Sequence, residues 1–216
     1  MSEKPTDLKS LIFVPAVITL AVTLLRLTGE VLGWSETFFN RAAGGPMAIV
    51  GIVWLVPVFG VYFARTLLAA GEGPAGAGRT IGFALLAMLV FVLTVVAAGA
   101  LALPPVTFIV LFSVASAPVI GLGMRGWPAL GRALLAYGLA VRIPVAIVML
   151  VAMSNHWGTH YEKGPPNFPE MSLLATYFFI GLLPQLTLWI GFTVSVGALF
   201  GGIAIAATRR RVRATA

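Results

Sequence analysis

Three ionisable residues lie inside long apolar stretches of the sequence, where hydrocarbon should exclude charge. Arg26 and Glu30 fall in the first stretch, and Arg142 falls in the fifth. An ionised group at the centre of a bilayer costs about 2.5–3.5 kcal/mol on insertion scales, so it normally faces the interior of a helix bundle and has a partner. These residues are therefore the first candidates for function.

The spacing of Arg26 and Glu30 predicts an ion pair, because residues four apart share one helix face at salt-bridge distance. Arg142 has no such partner at helical spacing, and Glu30 could pair with either arginine. The structural alternative is that Arg26 and Glu30 form an interfacial pair whose side chains reach toward headgroups. An interfacial position fits Arg142 less well, because Arg142 is predicted near the middle of the bilayer.

Convergence of these groups would leave one net positive charge, which suits a phosphate or carboxylate held by a planar guanidinium. Pro144 frees a backbone carbonyl and kinks the helix within a turn of Arg142, which also favours a pocket there. Two further polar residues in apolar stretches are candidates to complete it. The predicted ligand-binding residues are Arg142, Arg26, Glu30, Tyr137 and Gln185.

A second polar group lies between apolar stretches, in His156-Trp-Gly-Thr-His160-Tyr-Glu162. Zinc accepts imidazole and carboxylate ligands at about 2 Å. Gly158 and the Gly-Pro-Pro that follows argue against a helix that would align the two histidines. We therefore predict no metal site, although His156, His160 and Glu162 are candidate ligands by residue type.

Catalytic groups are scarce in the rest of the sequence. Asp7 is the only aspartate and there is no cysteine, which excludes an intramembrane aspartyl dyad and a thiolate nucleophile. Three serines, Ser113, Ser116 and Ser195, lie in apolar stretches that contain no histidine to activate them. We predict no catalytic residue and no cofactor, and these observations favour a protein that is not an enzyme.

Composition predicts the elements that position these residues. Of 216 residues, 59% are hydrophobic and 10% charged, far from the roughly 25% charged residues of soluble domains. Apolar stretches long enough to cross about 30 Å of hydrocarbon follow one another. The predicted fold is all-α, a polytopic membrane helical bundle formed by a single domain, residues 1–216. Its six transmembrane helices are predicted at 11–33, 46–64, 81–103, 106–121, 132–153 and 185–207.

The last apolar run, residues 173–207, would be about 50 Å long as one straight helix, which exceeds the bilayer. We predict that it breaks at Pro184 and Gln185, with an interfacial helix at 171–183 before the sixth crossing. Gly197 and Gly201, with Ala198 and Gly202, give that crossing a small-residue face for close helix packing.

The distribution of Lys and Arg predicts orientation, because cytoplasmic loops of membrane proteins retain the excess of basic residues. Alternate loops and the two ends hold ten basic residues on one side and only Arg41 and Lys163 on the other. Both termini are therefore predicted in the cytoplasm of a bacterial inner membrane. The net charge of +7 is explained by these topology signals, so no nucleic-acid partner is predicted.

Three functions are consistent with the sequence. The first is binding or transport of an anionic small molecule or lipid headgroup through the intramembrane Arg and Glu groups. The second is a non-catalytic membrane subunit or scaffold whose small-residue face binds partner helices. The third is an enzyme that processes a lipid phosphate, with Glu30 or a loop histidine as acid or base and an arginine as clamp. The corresponding partners are membrane lipids, an anionic ligand, and a second copy or another membrane protein.

Overall fold

The described residues form a bundle of helices with no strand. The structure is a computed structural model that describes residues 6–43 and 48–214, with side chains described as far as residue 208. Its helices are α1 (Leu8–Val31), α2 (Leu55–Ala69), α3 (Ala77–Ala100), α4 (Pro105–Gly126), α5 (Pro128–Asn155), a 3-10 turn (His160–Glu162), α6 (Leu173–Thr176), a π turn (Tyr177–Leu182), α7 (Leu183–Leu186) and α8 (Leu188–Ala214). The predicted all-α class is confirmed.

Five helical runs within the described residues are long and apolar enough to cross a membrane: α1, α3, α4, α5 and the run Leu173–Thr208. The central helix is α8, which packs against α2, α3, α4 and α5. Large apolar side chains on α1 and α3, such as Phe13 and Val96, are at least 60% exposed. Exposure of that kind is expected of helices that face lipid, and it agrees with the predicted membrane bundle.

The predicted second span, 46–64, has the wrong bounds. α2 begins at Leu55, ends at Ala69 and has only 15 residues, and the predicted start at Pro46 lies outside the described residues. A helix from residue 46 would place Pro57 in its interior, where proline removes a hydrogen bond and clashes with the preceding turn. Beginning at Leu55 puts Pro57 in the first turn, whose N–H groups have no intrahelical partner.

Residues 48–54, which precede α2, form bends and turns, and we call them the pre-α2 segment. The N–H of Val50 donates to the carbonyl of Phe38 at 3.0 Å, and the N–H of Ile49 donates to that of Thr37 at 3.4 Å. These N–H groups are therefore bonded to the loop after α1. This pairing positions the pre-α2 segment beside the C-terminal end of α1.

The break predicted at Pro184 and Gln185 is also displaced. Residues 173–186 are helical through Pro184, and the irregular backbone lies at Thr187, with φ −124° and ψ −76°. The N–H of Leu183 donates to the carbonyl of Phe178, five residues back. This widened turn directly precedes Pro184 and accommodates a residue that cannot continue the usual hydrogen-bond ladder. The predicted division into 171–183 and 185–207 is therefore replaced by a helical run that contains a π turn at Tyr177–Leu182 and one irregular residue, Thr187.

The connection between the predicted spans 106–121 and 132–153 is reduced to one residue, Trp127. α4 continues past the predicted end at 121, and α5 begins before the predicted start at 132. α1 and α3 lie within four residues of their predicted bounds, 11–33 and 81–103. A charged residue marks the end of an apolar span but not the end of its helix, which can continue past the charge into the interface.

Close packing of the small-residue face of α8 is confirmed, and it occurs within the chain. A Cβ added at Gly60 of α2 would lie 2.5 Å from the carbonyl oxygen of Gly197. A Cβ added at Gly201 would lie 2.9–3.0 Å from Leu130 of α5 and Ala64 of α2. The face predicted to receive a partner helix is thus covered by α2 and α5.

Candidate functional site

The Arg26–Glu30 ion pair predicted from the spacing is confirmed. Nε of Arg26 donates to Oε1 of Glu30 at 2.8 Å, and the Glu30 side chain is completely buried. Arg26 also donates from Nη2 to the carbonyl of Asn40 at 2.9 Å, in the loop that follows α1. Arg41 of that loop donates to the backbone carbonyl of Glu30. The pair is therefore held inside the bundle and does not extend toward headgroups.

Glu30 also binds His160, which lies in the 3-10 turn after α5. The ring Nδ1 of His160 is 2.6 Å from Oε1 of Glu30, and its backbone N–H donates to Oε2 at 2.8 Å. A carboxylate can only accept, so we infer the tautomer in which Nδ1 carries the proton. A capping box between Thr159 and Glu162 fixes the turn. One buried carboxylate thus joins α1 to a distant loop.

Burial holds the pKa of His160 below its ordinary value, against the opposing effect of the hydrogen bond to Glu30. The imidazole is therefore neutral at pH 7, because its ordinary pKa of 6.5 already lies below that pH. With Nδ1 donating to Glu30, Nε2 carries the lone pair of the neutral ring. His160 can accept a proton or a hydrogen bond at that nitrogen.

Arg142 lies on α5 and is only 3% exposed, so it is the most deeply embedded of the candidate groups with a positive charge. Its Nη1 donates to Oε1 of Gln185 at 3.3 Å, which confirms Gln185 as a neighbour. Its guanidinium carbon lies 4.6 Å from the centre of the Trp189 ring. Nε of Arg142 has no hydrogen-bond partner in the part of the chain that the structure describes. Its hydrogen-bond and ring partners there are neutral.

A cavity of about 100 Å³ connects these groups, and we call it the cationic cavity. Its polar wall is contributed by α1, α5, the loop after α5 and α7, through Arg26, Arg142, His160, Tyr161, Lys163 and Gln185. None of its described lining residues is acidic. One water needs about 10–15 Å³ of such volume, so the cationic cavity has room for a phosphate-sized group.

Apolar side chains form the remaining wall of the cationic cavity, among them Ile52, Val145 and Ile180. Ile180 belongs to the π turn, so the widened backbone before Pro184 directly shapes the cavity. Lys163 is exposed, whereas Arg142 is buried. The cavity therefore extends from the surface of the loop after α5 inward to the guanidinium of Arg142.

The structure brings three of the five predicted ligand-binding residues, Arg26, Arg142 and Gln185, to the cationic cavity. Glu30 is not among the lining residues and supports Arg26 and His160 from behind. Tyr137 is placed elsewhere: its hydroxyl lies 2.7 Å from that of Thr19, and its ring packs edge-on against Phe59 and Phe63.

The three candidate metal ligands have separate surroundings. His156 is exposed at the end of α5, where its backbone is left-handed with φ 52°. Glu162 accepts from the N–H and the hydroxyl of Thr159, at 3.0 and 3.1 Å, while His160 binds Glu30. Among the described residues, no three His, Asp or Glu side chains form a group that could hold a metal ion.

Sequence reasoning missed His160 as the partner of Glu30, and it missed Tyr161, Lys163 and Trp189 as lining residues. One signal was available for the loop residues. The charge distribution places the loop after α5 on the same side of the membrane as the Glu30 end of α1. A basic or aromatic residue in that loop could therefore have been expected near Glu30.

Fold and site define a class: an all-α bundle of membrane-spanning helices that encloses a cationic cavity. No protein-family model, curated protein or solved structure matches the chain. Function is therefore inferred from the cavity and its chemistry.

Proposed function

We propose that the protein binds or transports an anion whose phosphate or carboxylate group occupies the cationic cavity. The observation that carries this proposal is the Arg142 guanidinium, which is buried in a cavity wall where no described residue is acidic. A charge at such depth needs a counter-charge, a bound anion or water. An anion in the cavity supplies that counter-charge and accepts from the Nε–H of Arg142.

The arrangement of the donors suits this ligand. A guanidinium presents its N–H groups in a planar fork that matches phosphate and carboxylate oxygens. Gln185 and Trp189 fix the plane of the Arg142 guanidinium, while Arg26 contributes a second guanidinium held by Glu30. Exposed Lys163 gives the rim a positive charge that attracts anions from solution. By the distribution of basic residues, we propose that the rim faces the outer side of the membrane.

The test compares anions at equal ionic strength, because salt screens surface charge. Purified protein in a neutral detergent is heated with chloride, acetate, inorganic phosphate, glycerol phosphate or a short-chain phosphatidylglycerol. A ligand that binds only the folded state stabilises it by about 2.7 kcal/mol at a hundred times its Kd. We expect at least one phosphate compound to raise Tm above the chloride value in wild type and to have no such effect in Arg142→Met. Arg125→Met, at an exposed arginine of α4, is the matched control and should respond like wild type.

The outcomes separate the sources of the phosphate group. Stabilisation by inorganic phosphate indicates a soluble anion, and stabilisation by the lipid alone indicates a headgroup. If no phosphate or carboxylate compound raises the wild-type Tm above that in chloride, the proposal is overturned. An equal response in Arg142→Met would also overturn it, because the site would then lie elsewhere.

A second function is favoured by the hydrogen-bonded pair of Glu30 and His160 beside the same cavity. A neutral imidazole held at Nδ1 by a carboxylate leaves Nε2 to take a proton from water, and the carboxylate then stabilises the imidazolium. An arginine stabilises the charge that develops on a phosphate during attack. We infer from this pair that hydrolysis of a lipid phosphate monoester, to an alcohol and inorganic phosphate, is the alternative activity.

Phosphate release from phosphatidic acid tests the alternative. Wild type should release phosphate, and His160→Asn should not, because the asparagine amide can still donate to Glu30 but provides no basic nitrogen at the position of Nε2. His156→Asn, at the exposed histidine, is the control. Failure of wild type to release phosphate from this lipid would leave binding or transport as the proposed function.

The predicted role as a membrane subunit or scaffold depends on a small-residue face of α8 that is free to bind a partner helix. The small-residue face of α8 is covered by α2 and α5 of the same chain, with Gly60 in close contact with Gly197. A partner helix could reach this face only by displacing α2. We therefore do not propose this face as an interface.

A further inference from the structure

We infer that the ligand of the cationic cavity is an anionic lipid, whose acyl chain lies in an apolar groove next to that cavity. This inference rests on the proposed function and specifies its ligand class. The groove has a volume of about 280 Å³ and lies between the pre-α2 segment and α8. Its lining includes Arg26, Ala48, Val53, Trp54, Phe192 and Val196.

The apolar groove adjoins the cationic cavity at two residues. Arg26 and Val53 line both of them. A Cβ added at Gly51 would lie 3.2 Å from Nη1 of Arg26, so glycine at this position lets the guanidinium approach the backbone of the pre-α2 segment. Arg26 therefore marks the boundary between a positively charged compartment and an apolar one.

This division matches an amphiphile with one negative end. The phosphate of a lipid placed beside Arg142 and Arg26 would have its glycerol near Arg26 and Val53. A chain continuing from it would enter the groove, where Phe192 and Val196 of α8 and Trp54 offer apolar contacts. Arg26 is the single charged residue among the described residues that line the groove. A soluble anion would leave this apolar surface unused.

The groove is also exposed at the surface of the protein, where a lipid from the bilayer would enter. Trp54 is 52% exposed and Val53 is 38% exposed. Tryptophan prefers the boundary between headgroups and hydrocarbon, which places the mouth of the groove at the depth where glycerol backbones lie. Lipid chains are as apolar as the groove, so transfer from the bilayer gains little energy from the chain itself. The charged headgroup drives binding, and the groove determines whether a chain can accompany it.

The expected preference is for anionic over zwitterionic lipids. Phosphatidylcholine carries a quaternary ammonium next to its phosphate, and that cation would face Arg142 and Lys163 in the cavity. Phosphatidylglycerol has the same chains without the cation. Native mass spectrometry of the full chain in a neutral detergent can compare the two lipids at equal chain length, with glycerol phosphate as the headgroup without chains.

The decisive variant is Ala48→Phe, which fills the groove from the pre-α2 segment without changing a residue of the cationic cavity. We expect it to weaken phosphatidylglycerol binding about tenfold and to leave glycerol phosphate binding unchanged. Ala97→Phe, at an exposed alanine of α3, is the matched control and should bind both compounds like wild type. Ala48→Leu provides a smaller obstruction if the phenylalanine variant does not fold, and glycerol phosphate binding reports that the cavity is intact.

The outcomes distinguish the inference from the function on which it rests. Wild type that binds neither phosphatidylglycerol nor glycerol phosphate contradicts the proposed function. Wild type that binds glycerol phosphate but not phosphatidylglycerol overturns only the lipid inference. Ala48 variants that bind glycerol phosphate and retain wild-type affinity for phosphatidylglycerol also overturn it, because the chain would then lie outside the groove.

Discussion

Glu30 and His160, 130 residues apart in the chain, are joined by two hydrogen bonds, one to the imidazole ring and one to the backbone N–H of the histidine. The same carboxylate binds Arg26 one helical turn earlier. This buried acid therefore helps to set the position of the loop after α5 relative to the arginines of the cavity, together with the hydrogen bond from the Tyr161 hydroxyl to the carbonyl of Thr23. Two of the groups that line the cationic cavity, Arg26 and His160, are oriented by Glu30.

We predict that Glu30→Gln destabilises the fold strongly. The variant leaves the guanidinium of Arg26, which is 6% exposed, without its ionic partner. Removing one member of a buried ion pair typically costs about 3–5 kcal/mol. Chemical unfolding of the purified protein in detergent measures this cost. Glu36→Gln, at an exposed glutamate, should change the unfolding free energy by no more than about 0.5 kcal/mol. Equal effects of the two substitutions would contradict the prediction.

The contrast between the two contacts of Glu30 explains what the sequence could predict. Arg26 was predictable because residues four apart on a helix are neighbours whatever the rest of the fold. His160 reaches Glu30 through an irregular loop whose path depends on left-handed residues, with φ 52° at His156 and 70° at Gly158. Hydrophobic periodicity carries no information about such a path. The loop contact therefore required the structure.

Tyr137 shows a prediction that helix geometry alone could have corrected. It precedes Arg142 by five residues on α5, so the two side chains point about 140° apart around the helix axis. Gln185 could not be tested in this way, because it lies on another helix. Its contact with Arg142 followed from a different argument, that polar groups in hydrocarbon tend to face one another.

The second prediction concerns the pH dependence of stability. Burial holds the pKa of His160 below its ordinary 6.5. The charges of Arg26 on α1 and Lys163 in the loop also lower this pKa, whereas the hydrogen bond and charge of Glu30 on α1 raise it. The unfolded chain therefore binds more protons than the folded chain between the lowered pKa and about 6.5. The contribution of neutral His160 is fully present above about pH 6.5 and is lost as pH falls through that window. Tm should decline accordingly on acidification.

Thermal unfolding between about pH 8 and 5 checks this expectation. His160→Asn should flatten the decline below pH 6.5, because asparagine does not titrate and its amide can still donate to Glu30. His156→Asn removes an exposed histidine and should retain the wild-type profile. Parallel profiles for wild type and His160→Asn would assign the decline to other groups.

The third prediction concerns the packing of α2 on α8. Alanine at Gly60 would place its Cβ 2.5 Å from the carbonyl oxygen and 2.7 Å from the Cα of Gly197, and both are backbone atoms that cannot rotate away. Forcing such a contact costs about 1–3 kcal/mol. Gly82→Ala, at an exposed position of α3 with no atom within 4 Å of the added Cβ, should instead gain about 0.5–1 kcal/mol. If both substitutions changed the unfolding free energy in the same direction, this packing would be contradicted.

The fourth prediction separates the stability of the fold from ligand binding at Arg142. Arg142→Met loses the hydrogen bond to Gln185, worth about 1.5–3 kcal/mol because its donor is charged, and the contact with the Trp189 ring, worth about 2 kcal/mol when desolvated. It also removes the desolvation penalty of a buried cation, which amounts to several kcal/mol. These effects oppose each other and are similar in size. We therefore expect the unfolding free energy without ligand to change by less than about 1 kcal/mol, in contrast to Glu30→Gln.

The same variant should lose its response to phosphate compounds, so that stability and binding change independently. Arg142→Lys provides the converse case. An ammonium retains the charge and therefore the desolvation cost, but it lacks the planar fork that donates in parallel and stacks on Trp189. We expect Arg142→Lys to be less stable than Arg142→Met without ligand and to keep a reduced response to phosphate. The opposite order of stability would mean that the charge of Arg142 is compensated within the chain, and the need for a bound anion would disappear.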